Sequence, residues 1–225
     1  MKKLGQISLM LISMIILAMF AFTLGADPLM GITFAMVPPV SFGDLDFTDG
    51  ADNMAGTQLI AYYIPIDDVE TLPGYMATPT LLGDYATIDT AIVCKSGKNF
   101  LKLYASPDSG KIDDTKIEGK DSNSFESVYD FFFPKNDAAS LGFQRLAGTT
   151  KFLIIVPEAD GNNRLMGIKP GVPAILASVA ATSGTQSTGE KGAAMQFKSI
   201  QNGPAPIYTA EIPLTPAGSS SSSSS

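Results

Sequence analysis

The run SFESVYDFFFP at residues 124–134 limits the fold of this chain more than any other segment. Phe125, Ser127, Tyr129, Phe131 and Phe133 alternate with Glu126, Val128, Asp130 and Phe132, and a period of two residues belongs to a strand. Val128 and Phe132 add apolar groups to the second face, so a sheet covered on both sides is expected. Runs of the same kind surround it. TQLIAYYIPI favours a strand ending at Pro65, KFLIIVP at 151–157 is apolar throughout like a buried strand, and AAMQFKSI alternates Ala193, Met195 and Phe197 with Ala194, Gln196 and Lys198. YATIDTAIVC at 85–94 is β-branched enough to cross a sheet, and with FLKLYA at 100–105 after the Ser96-Gly97 turn it predicts a hairpin. Residues 111–119 predict a further strand, RLMGI at 164–168 follows the Asp160-Gly161 turn, and AILASVAAT at 174–182 fits a strand or a short helix.

One helix is expected outside the N-terminal leader, over NDAASLGFQRLAG at 136–148. Asn136 or Asp137 can cap it, Ala139, Phe143 and Leu146 form a short apolar stripe, and Gly148 can end it. The tally is eight or nine short strands and this helix, without the regular strand-helix alternation of a parallel sheet. The fold class expected is mainly β, an antiparallel β-sandwich or half-barrel with one flanking α-helix. A chain of 225 residues can build such a core without a disulfide or a structural metal.

Composition removes much chemistry. There is no histidine and one cysteine, so histidine-dependent triads, thiolate metal cages and CxxC redox chemistry are excluded. Asp44, Asp46, Asp49 and Asp52 invite a calcium reading, but Thr48 and Asp49 break the register of a helix-loop-helix site and Ala55 stands where its closing glutamate belongs. Asp67-Asp68 and Asp113-Asp114 are adjacent pairs, which point to opposite faces in extended chain. Ser109-Gly110-Lys111 lacks the first glycine and the hydroxyl of a phosphate loop and reads as a hairpin turn. Cys94 reads as a buried small hydrophobe, and Phe131, Phe132 and Phe133 as core before a base-stacking platform. No residue is assigned a catalytic, cofactor-binding or metal-binding role, and an enzyme is the least favoured class.

The ends carry separate signals. Lys2 and Lys3 precede an apolar run from Ile7 to Leu24, which reads as a signal peptide or membrane anchor over residues 1–25, or as an upstream extension if translation starts at Met30 or Met36. Residues 26–42 form an apolar, proline-interrupted arm, residues 43–215 the β domain, and residues 216–225 a serine-rich tail expected to be disordered. The chain has 15 basic and 22 acidic groups, a net charge of -7; without Lys2 and Lys3 it has 13 and 22, or -9. That balance opposes gripping nucleic acid through its phosphates.

Four segments in order along residues 41–215 resemble one family: GDLDFTDGADNMAGTQLIAYYIPIDDVETLP at 43–73, FLIIVPEADGNNRLMGI at 152–168, TGEKGAAMQFKS at 188–199 and GPAPIYTAEIPL at 203–214. They are similar to structural proteins of tailed phages and prophages of Bacteroidetes-like hosts, most of all to tail tube proteins. The resemblance implies a non-enzymatic virion subunit that closes into a ring, usually a hexamer, with inner strands joined into one barrel. Rings would stack with one another and with other tail proteins into a tube that passes DNA without binding it, assembled in the bacterial cytoplasm. Carboxylates lining the lumen would repel the phosphates, and the loops at Gly43–Gly56 and Asp108–Lys111 would make ring-to-ring contacts. The leader departs from this pattern. A secreted or membrane-anchored β-sandwich that binds protein or glycan, or polymerises outside the cell, is the alternative, with Tyr62, Tyr63 and Tyr208 as an aromatic patch.

Overall fold

Twelve strands, one α-helix and two 3-10 turns occur among the residues described by the computed structural model, which are Leu45 and residues 54–119, 122–169, 171–184 and 190–215. The leader at 1–25, the arm at 26–42, Asp44, Asp46, Asp49 and Asp52, and the tail at 216–225 lie outside the described residues. In chain order the strands are β1 (Ile60–Pro65), β2 (Val69–Thr71), β3 (Thr87–Ile88), β4 (Val93–Cys94), β5 (Leu101–Tyr104), β6 (Lys111–Gly119), β7 (Ser122–Phe133), β8 (Phe152–Pro157), β9 (Asn163–Met166), β10 (Ile175–Thr182), β11 (Gly192–Gln201) and β12 (Ile207–Tyr208). Helix α1 (Ala138–Ala147) follows β7, and the turns are Ile66–Asp68 and Leu82–Ala86. The strands form a six-stranded sheet in the order β3-β12-β9-β8-β1-β5, a four-stranded sheet in the order β10-β11-β7-β6, and the pair β2-β4. None of these sheets closes on itself among the described residues, and the class is mostly β with one helix.

Strand β8 centres the fold because all six of its residues are buried. Phe152, Ile154 and Val156 enter a cluster with Tyr129, Phe131, Met195 and Phe197 of the four-stranded sheet, and Phe152 meets Phe197 edge-on with ring centroids 5.7 Å apart. Leu153 and Ile155 enter a second cluster on the opposite side, with Ile64, Ile88, Cys94, Phe100 and Tyr208. Each side chain of this size stabilises by about 1.5–3 kcal/mol when fully buried. An apolar run with no polar face is the sequence form of a strand packed on both sides.

The alternation at 124–134 places Ser127, Tyr129 and Phe131 in the interior. Phe131 stacks on Tyr129 at 5.0 Å and on Phe197 at 6.1 Å. Val128 and Phe132 on the other face are only half-buried, so that face is not covered as the pattern suggested. Two corners join the sheets. At one, Ala174 exchanges backbone hydrogen bonds with Phe152 at 2.8 and 2.9 Å, just before β10 leaves for the four-stranded sheet. Gly167 permits this approach: its φ is +86°, and a Cβ there would stand 2.5 Å from Phe152 O and 2.6 Å from Ala174 N. At the other corner the Ser106 amide donates to Phe132 O at 2.8 Å, and the chain turns through Asp108 at φ 56° into β6.

Three expectations are corrected. Residues 85–94 are not one strand hairpinned to 100–105: β3 pairs with β12, β4 with β2 and β5 with β1. The buried Tyr208 hydroxyl accepts from the Ile92 amide at 3.2 Å, so a side chain takes the place of ladder bonding there. The turn at Asp108–Lys111 joins two sheets and is not a hairpin end. Helix α1 is capped by Asp137, whose Oδ1 accepts from the Ser140 amide at 2.9 Å, but its inner side is Ser140, Phe143 and Ala147, with Ala139 and Leu146 exposed. The spacing expected of a stripe is kept, shifted along the chain, because the small Ser140 and Ala147 allow the close approach and Phe143 meets Tyr63 edge-on at 5.5 Å.

Candidate functional site

Among the described residues, the four-stranded sheet ends in two unlike open edges. Strand β10, ILASVAAT, has eight residues and no charged side chain, and only Leu176 among them is better than exposed. Strand β6, KIDDTKIEG, has nine residues, five of them charged. Charged side chains, lysine especially, discourage strand pairing at an open edge, and β10 has none of this protection. A register shift between Leu176 and Ser178 adds one residue to β10 opposite β11 and re-aims the strand beyond it.

Register also defines the outward face of this sheet. Lys111 lies opposite Asp130, Asp113 opposite Val128, Thr115 opposite Glu126, and Gln196 and Lys198 opposite Asp130 and Val128. Its charged side chains are thus Lys111 and Lys198 against Asp113, Glu126 and Asp130, a sum of -1. Lys111 sits 2.7 Å from Asp113 and 3.5 Å from Asp130, and Lys198 2.7 Å from Glu126. The chain's acidic excess is therefore not concentrated on this face, and both of its lysines are paired. Exposed pairs of this kind add little to stability; their consequence, among the described residues, is a face without an unpaired cation.

Behind β6 lies a polar network that the sequence reading did not find. Asp114, one residue from the outward Asp113, faces inward and takes the Arg164 guanidinium, the Ser127 hydroxyl and, at 3.1 Å, the Ala205 amide. Arg164 also donates to Ala205 O at 2.7 Å and approaches Glu158 at 3.3 Å. Arg164 comes from β9 and Asp114 from β6, so the network ties the two sheets across their interior. Burial pushes the Glu158 carboxyl above its ordinary value, with Arg164 pulling the other way. The guanidinium is engaged on three sides, which leaves it a bracing role. The only signal in the sequence was the inward parity of Asp114, since its partner stands 50 residues away.

The remaining candidates separate. Cys94 is buried, and burial followed by the charge of Asp68 raises its thiol, away from nucleophilic use. Phe131 is core, while Phe132 lies on the outward face beside Asp130 and Gln196, lining a hollow of about 300 Å³. Tyr63 packs in the first cluster and Tyr62 and Tyr208 against the second, so the three form no patch. Ser109 staples its corner, donating to Ser106 O at 2.7 Å and accepting from the Phe132 amide at 3.2 Å. Among the described residues there is no group of three or more metal-ligating side chains, and no helix is long and apolar enough to cross a membrane.

Comparison with protein-family models, curated proteins and solved structures finds no match for this chain.

Proposed function

We propose that this chain is a non-enzymatic structural subunit that assembles with copies of itself, edge strand to edge strand, into rings stacked as a phage tail tube. The observation that carries the reading is the pair of open edges on the four-stranded sheet, β10 with eight residues and β6 with nine. Joining β10 of one copy to β6 of the next is a heterologous contact, which closes into a ring when the rotation allows; a hexamer is the closure that the resemblance implies. Such pairing satisfies the backbone groups that an open edge leaves bare. In this reading the six-stranded sheet packs on the four-stranded one as an open sandwich, and the outward face of the latter lines the lumen. The carboxylate lining that the resemblance implies is not concentrated on this face, which sums to -1; passage of DNA would rest instead on there being, among the described residues, no unpaired lysine there to neutralise a phosphate.

The test is negative-stain imaging together with light scattering of the concentrated protein. Rings or tubes are expected for the wild type and monomers for the double substitution Ser178→Lys with Ala180→Lys, which places two charges on β10. A wild-type monomer at high concentration across a range of salt would sink the proposal. The same edges would serve an extracellular polymer, the alternative function. Mass measurement of the mature N-terminus separates the two, because a product cleaved near residue 25 or retaining the leader belongs to export or anchoring, and a start at Met30 or Met36 to cytoplasmic assembly.

A further inference from the structure

A hollow of about 320 Å³ opens between the loop carrying Tyr75, Met76 and Pro79, the turn Leu82–Ala86 and the loop that follows β11. Its walls are two tyrosines, Tyr75 and Tyr85, with Met76, Pro79 and Pro204. Among the described residues Asp84 is its one charged lining residue and Asn202 its one side-chain amide, and no lysine or arginine lines it. The Asp84 carboxylate is fixed in place, with Oδ2 accepting from the Thr80 and Leu81 amides at 2.8 Å each and from the Thr80 hydroxyl at 3.1 Å. Those amides, Leu81 first, hold it below the usual carboxylate range, so it is ionised at neutral pH. Among the described residues its Oδ1 takes no hydrogen bond.

The surroundings have the same sign. Asp114 is near enough to Tyr75 for its charge to act on the phenol, second to burial. Asp114, Glu158 and Arg164 together sum to -1, so the interior next to the hollow adds negative potential to that of Asp84. Aromatic faces attract cations, most when the site is partly desolvated, and a polarisable thioether suits an alkyl stem. A sugar would need several convergent donors and acceptors, and the side-chain polar groups here are two phenols, one amide and a carboxylate already occupied on one oxygen, so maltose is the control for that ligand class.

We propose that the hollow between Tyr75, Tyr85 and Asp84 is a binding site for an organic cation, an ammonium group carried on an apolar stem. The cation enters between the two rings with its charge toward Asp84. The source is either a small quaternary ammonium compound or a lysine side chain of a protein, and the two differ in the titration that detects them. The site does not depend on ring assembly, so its test stands apart from that of the tube.

Tetramethylammonium and N-acetyl-lysine amide are titrated into the full chain at constant ionic strength while the tyrosine ring resonances are followed. Saturable shifts of Tyr75 and Tyr85 are expected with both cations, and no saturation with tert-butanol, a neutral probe of similar bulk. Tighter binding of the lysine derivative points to a protein source, and of tetramethylammonium to a small ligand. Tyr75→Ala is expected to weaken binding about tenfold and Tyr75→Phe to leave it nearly unchanged, because the ring face supplies the attraction. Tyr85→Ala gives a second reading if Tyr75→Ala folds poorly. Binding of tert-butanol or of maltose equal to that of the cations, or wild-type affinity in both alanine variants, would overturn the assignment.

Discussion

Strands β8 and β10 are alike as sequence and opposite as structure. FLIIVP and ILASVAAT are both uncharged and built mainly from apolar and small residues. All of β8 is buried, with Leu153, Ile154, Ile155 and Val156 fully so, whereas Ile175 and Val179 of β10 remain 46% and 37% exposed. The difference lies in what stands beside them: among the described residues β8 has neighbours on both edges and a cluster on each face, and β10 has one neighbour, β11. Apolar composition reports that a segment wants cover, and does not report whether the cover comes from its own chain.

The comparison can be broken most strongly at the brace that holds the sheets together. Arg164→Ala would take the cation from half-buried Asp114, leaving it the Ser127 hydroxyl and the Ala205 amide, and from half-buried Glu158, and a loss of about 3 kcal/mol is expected in urea unfolding. A loss under about 1 kcal/mol would mean the network is ornamental. Next comes the core contrast itself. Ile155→Ala in β8 should cost about 2–5 kcal/mol, as truncation of a fully buried side chain does, and Val179→Ala in β10 should stay below about 1 kcal/mol in the monomer. Equal costs would place β10 in a covered environment and erase the distinction.

The smallest effect sharpens the account of the brace. The Glu158 carboxyl is raised by burial, so between its ordinary pKa, near 4.5, and its higher folded value the native state binds more protons than the unfolded chain. Stability attributable to Glu158 is fully present below the ordinary value and declines as pH rises through the folded one. Glu158→Gln should therefore flatten the stability profile in mildly acid solution relative to wild type. An unchanged profile would show that Arg164 already compensates the burial.

Much of the local structure was legible. The alternation through Tyr129 and Phe131 gave β7 and its inner face, the unbroken apolar run gave β8, and Asp137 capped α1, because each follows from neighbours within a few residues. The candidate site was half legible: an uncharged β10 beside a charged β6 can be read from the letters, but that both lie at edges of one sheet cannot. The hairpin expected over 85–105 failed for the same reason. Its segments pair with β12, β2 and β1, and the Ile92 amide finds its partner on Tyr208, 116 residues on.

The sequence by itself determined which segments are extended, which faces are apolar and which kinds of catalysis are closed to a chain without histidine. Those properties come from side-chain chemistry and from backbone periodicity, both of which act locally. Only the tertiary structure decided that β8 is enclosed while β10 stands open, that Asp114 meets Arg164, and that Tyr75, Tyr85 and Asp84 surround one hollow. Each of these is a contact between distant parts of the chain, selected when the sheets packed and the corners at Gly167 and Asp108 set how they face.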